Sequence, residues 1–351
     1  MKKNIIIITF ILVVFVFFIY IISYKNNRII PIQNLPGRVD EIMQKSSPSP
    51  TPFPFQEMTI PYLRNRTFQS QLGITEKYLD EGSYTSYLTS YDSDSYKING
   101  LLTIPNSDRP EEGWPAVVFV HGYIPPQSYK TTQNYASFID RLAKNGLVVF
   151  KIDLRGHGDS EGMASGAYYS GDYVIDTLNA YTALQQSEFV NRNKVYLWGH
   201  SMAGNVVFRS FVANADIPKV VIWAGAVYTY DDMAKYRISD NSYQPPPQES
   251  ERRRKRQKLF NAYGEFDKNN YFWRLVVPVN FLEGTTGSLQ IHHAVDDNVV
   301  NIGYSRDLVE ILKNSDVTTE FFEYQNGGHN ISGINFDVAM ERTVNFFLDD
   351  E

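Results

Sequence analysis

Residues 116–120, 147–152, 195–198 and 220–224 are four short runs that are apolar almost throughout, and segments with helical periodicity, 135–143, 173–184 and 202–212, alternate with them. A strand that is apolar at every position must be buried on both faces, so the pattern calls for a mainly parallel sheet covered by helices. The alternation resumes at 289–292, 303–312, 319–324 and 336–348. Ahead of it, the Tyr-, Thr- and Leu-rich segments 83–90 and 96–104 flank a turn-like stretch at 91–95, which predicts an antiparallel hairpin. The fold class expected is α/β: a mainly parallel, doubly wound sheet with an antiparallel N-terminal hairpin.

The N-terminus obeys a different rule. Lys2 and Lys3 precede an almost unbroken apolar run over 5–22, and Lys25 and Arg28 close it. At 1.5 Å per residue the run is roughly 27 Å long, close to the hydrocarbon thickness of a bilayer. It ends in Ile21-Ile22-Ser23-Tyr24-Lys25 rather than in the small residues of a cleavage site, which predicts an uncleaved membrane helix. The short basic tail then stays inside and the long C-terminal part is exported. Ser46-Ser47-Pro48-Ser49-Pro50-Thr51-Pro52-Phe53-Pro54 has too many prolines for a helix and reads as a stiff spacer. The expected division is an anchor at 1–28, a linker at 29–60 and one folded domain at 61–351. A net charge of -6 gives no basis for nucleic-acid binding, and the absence of cysteine excludes disulfides, thiolate metal sites and a cysteine nucleophile.

Ser201 lies in Gly199-His200-Ser201-Met202-Ala203-Gly204, between a predicted strand and a predicted helix. That context is the one a nucleophile elbow requires. A serine hydroxyl needs a base within reach and a group that orients the base. Asp296 follows the strand at 289–292, and His329, in Asn326-Gly327-Gly328-His329, follows the next one. Each alone reads equally well as a solvated loop residue; their order and their placement at strand ends make Ser201, Asp296 and His329 the expected triad, with Asp296 preferred to Asp297. The oxyanion donors expected are the N–H of Met202, after the nucleophile, and the N–H of Tyr123, after His121-Gly122. His121 is read as a structural residue of that loop, His200 as shape-setting, and 153–160 as a glycine-rich loop rimming the site, without the lysine of a phosphate-binding loop. No metal or organic cofactor is implied.

His121-Gly122-Tyr123, the 153–160 loop, the 199–204 elbow, His292-His293-Ala294-Val295-Asp296-Asp297-Asn298-Val299 and Gly328-His329 together resemble the α/β-hydrolases. The likeness is nearest to the catalytic domain of the prolyl oligopeptidase family, in whose acid loop the first aspartate is the triad acid, matching Asp296. His293 stands where that family usually has glycine. The resemblance spans roughly residue 100 onward. It implies a serine peptidase acting on peptides through an acyl-enzyme; a carboxylesterase of small acyl esters is the alternative, and an inactive fold used for binding comes last. The chain has no room for that family's β-propeller, so any filter must come from the long insertion at 228–279, a predicted lid. The basic run from Arg252 to Lys258 within it is read as a solvated helix face.

Overall fold

In a computed structural model the described residues are 52–247 and 250–349. The apolar run at 5–22, and with it the expected anchor, lies outside them. Among the described residues no helix is long and apolar enough to cross a membrane.

The compact unit begins at Phe53 rather than at residue 61. A 3-10 turn at Gln56–Met58 leads into helix α1 (Ile60–Asn65), capped by the Thr59 hydroxyl. Met58, Ile60 and Leu63 are buried, and the guanidinium of buried Arg209 donates to the Met58 carbonyl at 2.6 Å. Gly171 allows the approach, since a Cβ there would stand 2.0 Å from the Glu57 carbonyl oxygen. The last part of the expected linker is therefore structural, with Met58 and Ile60 buried and Phe53 and Phe55 packed against the core.

Strands β1 (Glu76–Asp80), β2 (Tyr84–Ser93) and β3 (Tyr96–Pro105) form an antiparallel edge. The hairpin turn is tighter than the sequence suggests: Ser93 pairs with Tyr96, and Asp94 takes a left-handed φ of 56°. Next come β4 (Trp114–Val120), α2 (Ala136–Lys144), β5 (Val148–Ile152), α3 (Asp172–Gln185), β6 (Val190–His200), α4 (Met202–Ala213) and β7 (Lys219–Trp223). The insertion carries α5 (Asp231–Tyr236), α6 (Glu251–Tyr263) and α7 (Tyr271–Val276). Then β8 (Ser288–Ala294), α8 (Gly303–Leu312), β9 (Thr318–Tyr324) and α9 (Ile334–Leu348) complete the order.

The nine strands lie in the order β1-β2-β3-β5-β4-β6-β7-β8-β9, antiparallel as far as the β3–β5 pair and parallel from β5 onward. Side chains alternate between two cores. Val117, Phe119, Trp198 and Trp223 join Phe138 of α2 and Phe347 of α9 on one face. Ala116, Val118, Leu197 and Ile222 join Leu178 of α3 and Val206 of α4 on the other. This double burial is what makes the strands apolar at nearly every position. Strand order reverses at β4, which has β5 on one side and β6 on the other, so the loops leaving β4 and β6 diverge and open a crevice at the carboxyl edge.

Packing of α1 yields a direct test. Ile60→Ala should lower the unfolding free energy in urea by about 2–5 kcal/mol, the usual cost of such a cavity; an unchanged midpoint would mean that this segment is not part of the domain.

Candidate active site

Ser201 terminates β6 and precedes α4 with φ 55° and ψ -119°, a conformation that is strained for any residue with a side chain. Its N–H donates to the Trp223 carbonyl at 2.9 Å, tying the turn to β7. A Cβ on Gly199 would stand 2.7 Å from the Ala203 carbonyl oxygen, and one on Gly204 would stand 2.6 Å from the Gly225 Cα. Glycine is needed at both places for strand, helix and the next loop to close up. The Ala203 methyl, fully buried, is accommodated.

Ser201, His329 and Tyr123 line one cavity of about 780 Å³. Among the described residues no hydrogen bond joins the Ser201 hydroxyl to His329, a contact that commonly tightens only when substrate fills the site. Met202 is buried and opens α4, where its N–H lacks an intrahelical partner. Among the described residues no hydrogen bond engages the Tyr123 N–H.

The aspartate bonded to His329 differs from the one expected. His329 Nδ1 lies 2.8 Å from Asp297 Oδ2, whereas the Asp296 carboxylate accepts the N–H groups of Gly328 at 2.8 Å and Gly327 at 3.3 Å. Adjacent residues leaving a strand point to opposite sides, so only one aspartate faces the imidazole. Here β8 runs to Ala294, and Asp297, one turn further, points inward while Asp296 stays outside and clamps the histidine loop. Gly327 and Gly328, at φ 127° and 61°, give that loop the left-handed backbone it needs.

Asp297 is saturated with donors. Oδ1 accepts the N–H groups of Val299 and Val300 at 2.8 and 2.9 Å, and Oδ2 receives His293 Nε2 at 3.2 Å beside His329. Burial opposes ionisation of this carboxyl, but the hydrogen bonds from His293 and His329 outweigh it and hold the group well below the usual carboxylate range. His293, where the resembling family has glycine, is fully buried and is itself held by Ser305 Oγ at 2.7 Å and the Val300 carbonyl at 2.9 Å. Its spacing of four residues before Asp297 was the available signal.

The loop after β4 is braced from below. His121 Nδ1 lies 2.7 Å from the Gly122 carbonyl and His157 Nε2 lies 3.3 Å from that of Ile124, with the two rings edge to face at 4.8 Å. Burial lowers both imidazoles, keeping them neutral. Asp153 accepts the Tyr129 and Thr131 hydroxyls, each at 2.5 Å, which ties the 153–160 loop to the loop after β4, but none of its residues is among those lining the cavity, so it does not rim the site as expected.

From the insertion, Asp240 and Ser242 line the cavity, the Tyr243 ring packs on Tyr123 at 5.5 Å, and the Gln244 N–H donates to the Tyr123 hydroxyl at 3.0 Å. The basic run does not form a uniformly solvated face: Lys255 pairs with Asp172 at 3.0 Å, and Arg256 lies over the Tyr169 ring at 4.2 Å. Among the described residues no group of His, Asp and Glu is arranged to hold a metal ion.

Residues 114–246 match the family model described as serine aminopeptidase, S33. The chain has the α/β-hydrolase fold. No curated protein matches it by sequence. Among solved structures, an acetyl xylan esterase from Paenibacillus sp. R4 superposes with a TM-score of 0.60 at 15% identity, over 88% of this chain and 99% of that one. A puromycin-hydrolyzing peptidase of Mycobacterium tuberculosis gives 0.58 at 17% identity, over 77% of this chain but 40% of that one. The Pyrococcus horikoshii acylaminoacyl peptidase gives 0.56 at 18% identity, over 76% and 42% respectively. These similarities establish the α/β-hydrolase fold, with its mostly parallel sheet.

The two aspartates are separable by substitution. Asp297→Asn should lower kcat for p-nitrophenyl acetate by on the order of 10³–10⁴-fold, because an amide disfavours the required tautomer of His329. Asp296→Asn should cost about tenfold or less, since its amide oxygen still accepts from Gly328. The reverse ranking would restore Asp296 as the acid.

Proposed function

We propose that this α/β-hydrolase cleaves carboxyl derivatives through an acyl-enzyme on Ser201, with His329 as base and Asp297 as the orienting acid. The observation that carries the proposal is the strained serine turn sharing one cavity with an imidazole whose far nitrogen is bound to a buried carboxylate. A carboxylate only accepts, so Nδ1 holds the ring proton and Nε2 keeps its lone pair. Nε2 takes the proton as Ser201 Oγ attacks the carbonyl carbon. The N–H groups of Met202 and Tyr123 stabilise the oxygen that becomes negative. His329 then passes its proton to the leaving group, and water repeats the sequence in reverse to release the acid.

The substrate proposed is a short peptide. The S33 aminopeptidase match spans 114–246, which holds both the Gly122-Tyr123 loop and the serine turn, and Gln133, Asn134, Asp240 and Ser242 give the cavity polar walls able to hydrogen-bond a peptide backbone. A second reading, ester hydrolysis, is favoured by a different observation: the acetyl xylan esterase is matched over almost its whole length, the two peptidases over less than half of theirs. Turnover of aminoacyl-arylamides against short-chain aryl esters separates the two. The peptidase reading predicts arylamide cleavage that disappears in Ser201→Ala; Ser201-dependent turnover of esters alone would replace it with the esterase reading.

We further propose that residues 5–22 tether the domain to a membrane, on the strength of their length and apolar character. The full chain should stay with membranes through an alkaline carbonate wash and a chain starting at Phe53 should not; release of both would remove the anchor from the account.

A further inference from the structure

Three hydrogen bonds cross the floor of the cavity and join segments far apart in sequence. The Gly122 N–H donates to the Tyr135 hydroxyl at 2.9 Å, that hydroxyl lies 2.8 Å from His200 Nδ1, and His200 Nε2 lies 2.9 Å from the His329 carbonyl oxygen. Chemistry fixes their direction. A carbonyl only accepts, so Nε2 carries the His200 proton; Nδ1 is then an acceptor, Tyr135 donates to it, and the Tyr135 oxygen is left to accept from Gly122. Each group is used in one sense only, which leaves no second arrangement for a neutral imidazole. Burial pushes His200 down to about 3, so the ring stays neutral at ordinary pH.

We propose that Tyr135 and His200 form a positioning relay that sets the oxyanion-hole loop and the histidine loop relative to Ser201 at the same time. The proposal rests on the serine-hydrolase reading above and assigns two positioning residues to it. Tyr123, whose N–H is the expected oxyanion donor, directly follows Gly122; His200 directly precedes the nucleophile; and the carbonyl at the far end belongs to the base itself.

Two further observations show that the site is built around this relay. Tyr135 holds a left-handed φ of 63°, uncommon for a bulky side chain, and its ring is fixed by edge-to-face contacts with Phe119 at 5.3 Å and Trp198 at 6.1 Å. A Cβ on residue 122 would stand 2.9 Å from the Tyr135 hydroxyl and 3.2 Å from His200 Nδ1, so a side chain there would push on the relay itself. Removing the hydroxyl unpairs a backbone N–H and a ring nitrogen together and frees the loop that carries the oxyanion donor. That loss falls on the transition state rather than on substrate binding.

The test uses the purified full chain and p-nitrophenyl acetate, with Ser201→Ala as background and urea unfolding to compare stability. Tyr135→Phe should lower kcat by about tenfold to a hundredfold with KM within about threefold, a fraction of the loss expected for removing an oxyanion donor outright. His200→Leu should show a similar loss, and His200→Gln, which keeps one acceptor and one donor, should recover most of it. Tyr135→Phe combined with His200→Leu should be no worse than His200→Leu alone, because both act through one chain of bonds. A Tyr135→Phe enzyme within twofold of wild type, no rescue by glutamine, or additive losses would each overturn the relay. Should Tyr135→Phe fail to fold, the glutamine and leucine variants decide alone. Wild-type turnover no faster than Ser201→Ala would instead sink the hydrolase reading on which the relay rests.

Discussion

The backbone turn at Ser201 is the constraint on which the remaining architecture depends. A φ of 55° with ψ -119° costs on the order of 1–3 kcal/mol and persists only where the surroundings over-determine it. Here the determinants are the bond from the Ser201 N–H to β7 and the close contacts of Gly199 and Gly204, which bring strand, helix and following loop together without intervening side chains. Two buried cores hold β6 and α4 in register, so the strain stays local.

Around that turn, charge is handled by saturation rather than by exposure. Asp297 is ionised in a buried position because four donors surround its two oxygens, two from backbone and two from imidazoles. His121, His157, His200 and His292 are buried with lowered pKa values, so each is a fixed neutral ring in the scaffold. His121, His157, His200 and His293 thus brace the loops of the site, His292 bonds within the sheet core to Tyr324 and Gln290, and His329 lines the cavity.

Much of this was legible in the sequence where a periodic apolar pattern carried the signal. The helix at Gly303–Leu312 has the bounds the sequence suggests, and the strands from β4 to β9 differ from expectation mainly at their ends. Strand β1 was invisible because all five of its residues are exposed at a sheet edge, with no buried face to impose alternation. The proposed nucleophile and base were readable from their strand-end placement, and Ser201 and His329 line one cavity. The acid was not, because neighbouring aspartates present the same composition and only the path of the chain after β8 decides which turns inward. Tyr135 carried no sequence signal, since its role arises from a hydrogen bond to a loop on another strand.

The most direct measurement of the central claim is reaction of the folded protein with a fluorophosphonate, followed by mapping of the adduct by mass spectrometry. The account predicts stoichiometric modification at Ser201, greatly slowed by His329→Ala. A folded protein that remains unmodified at Ser201, or one whose labelling is indifferent to His329, would contradict it.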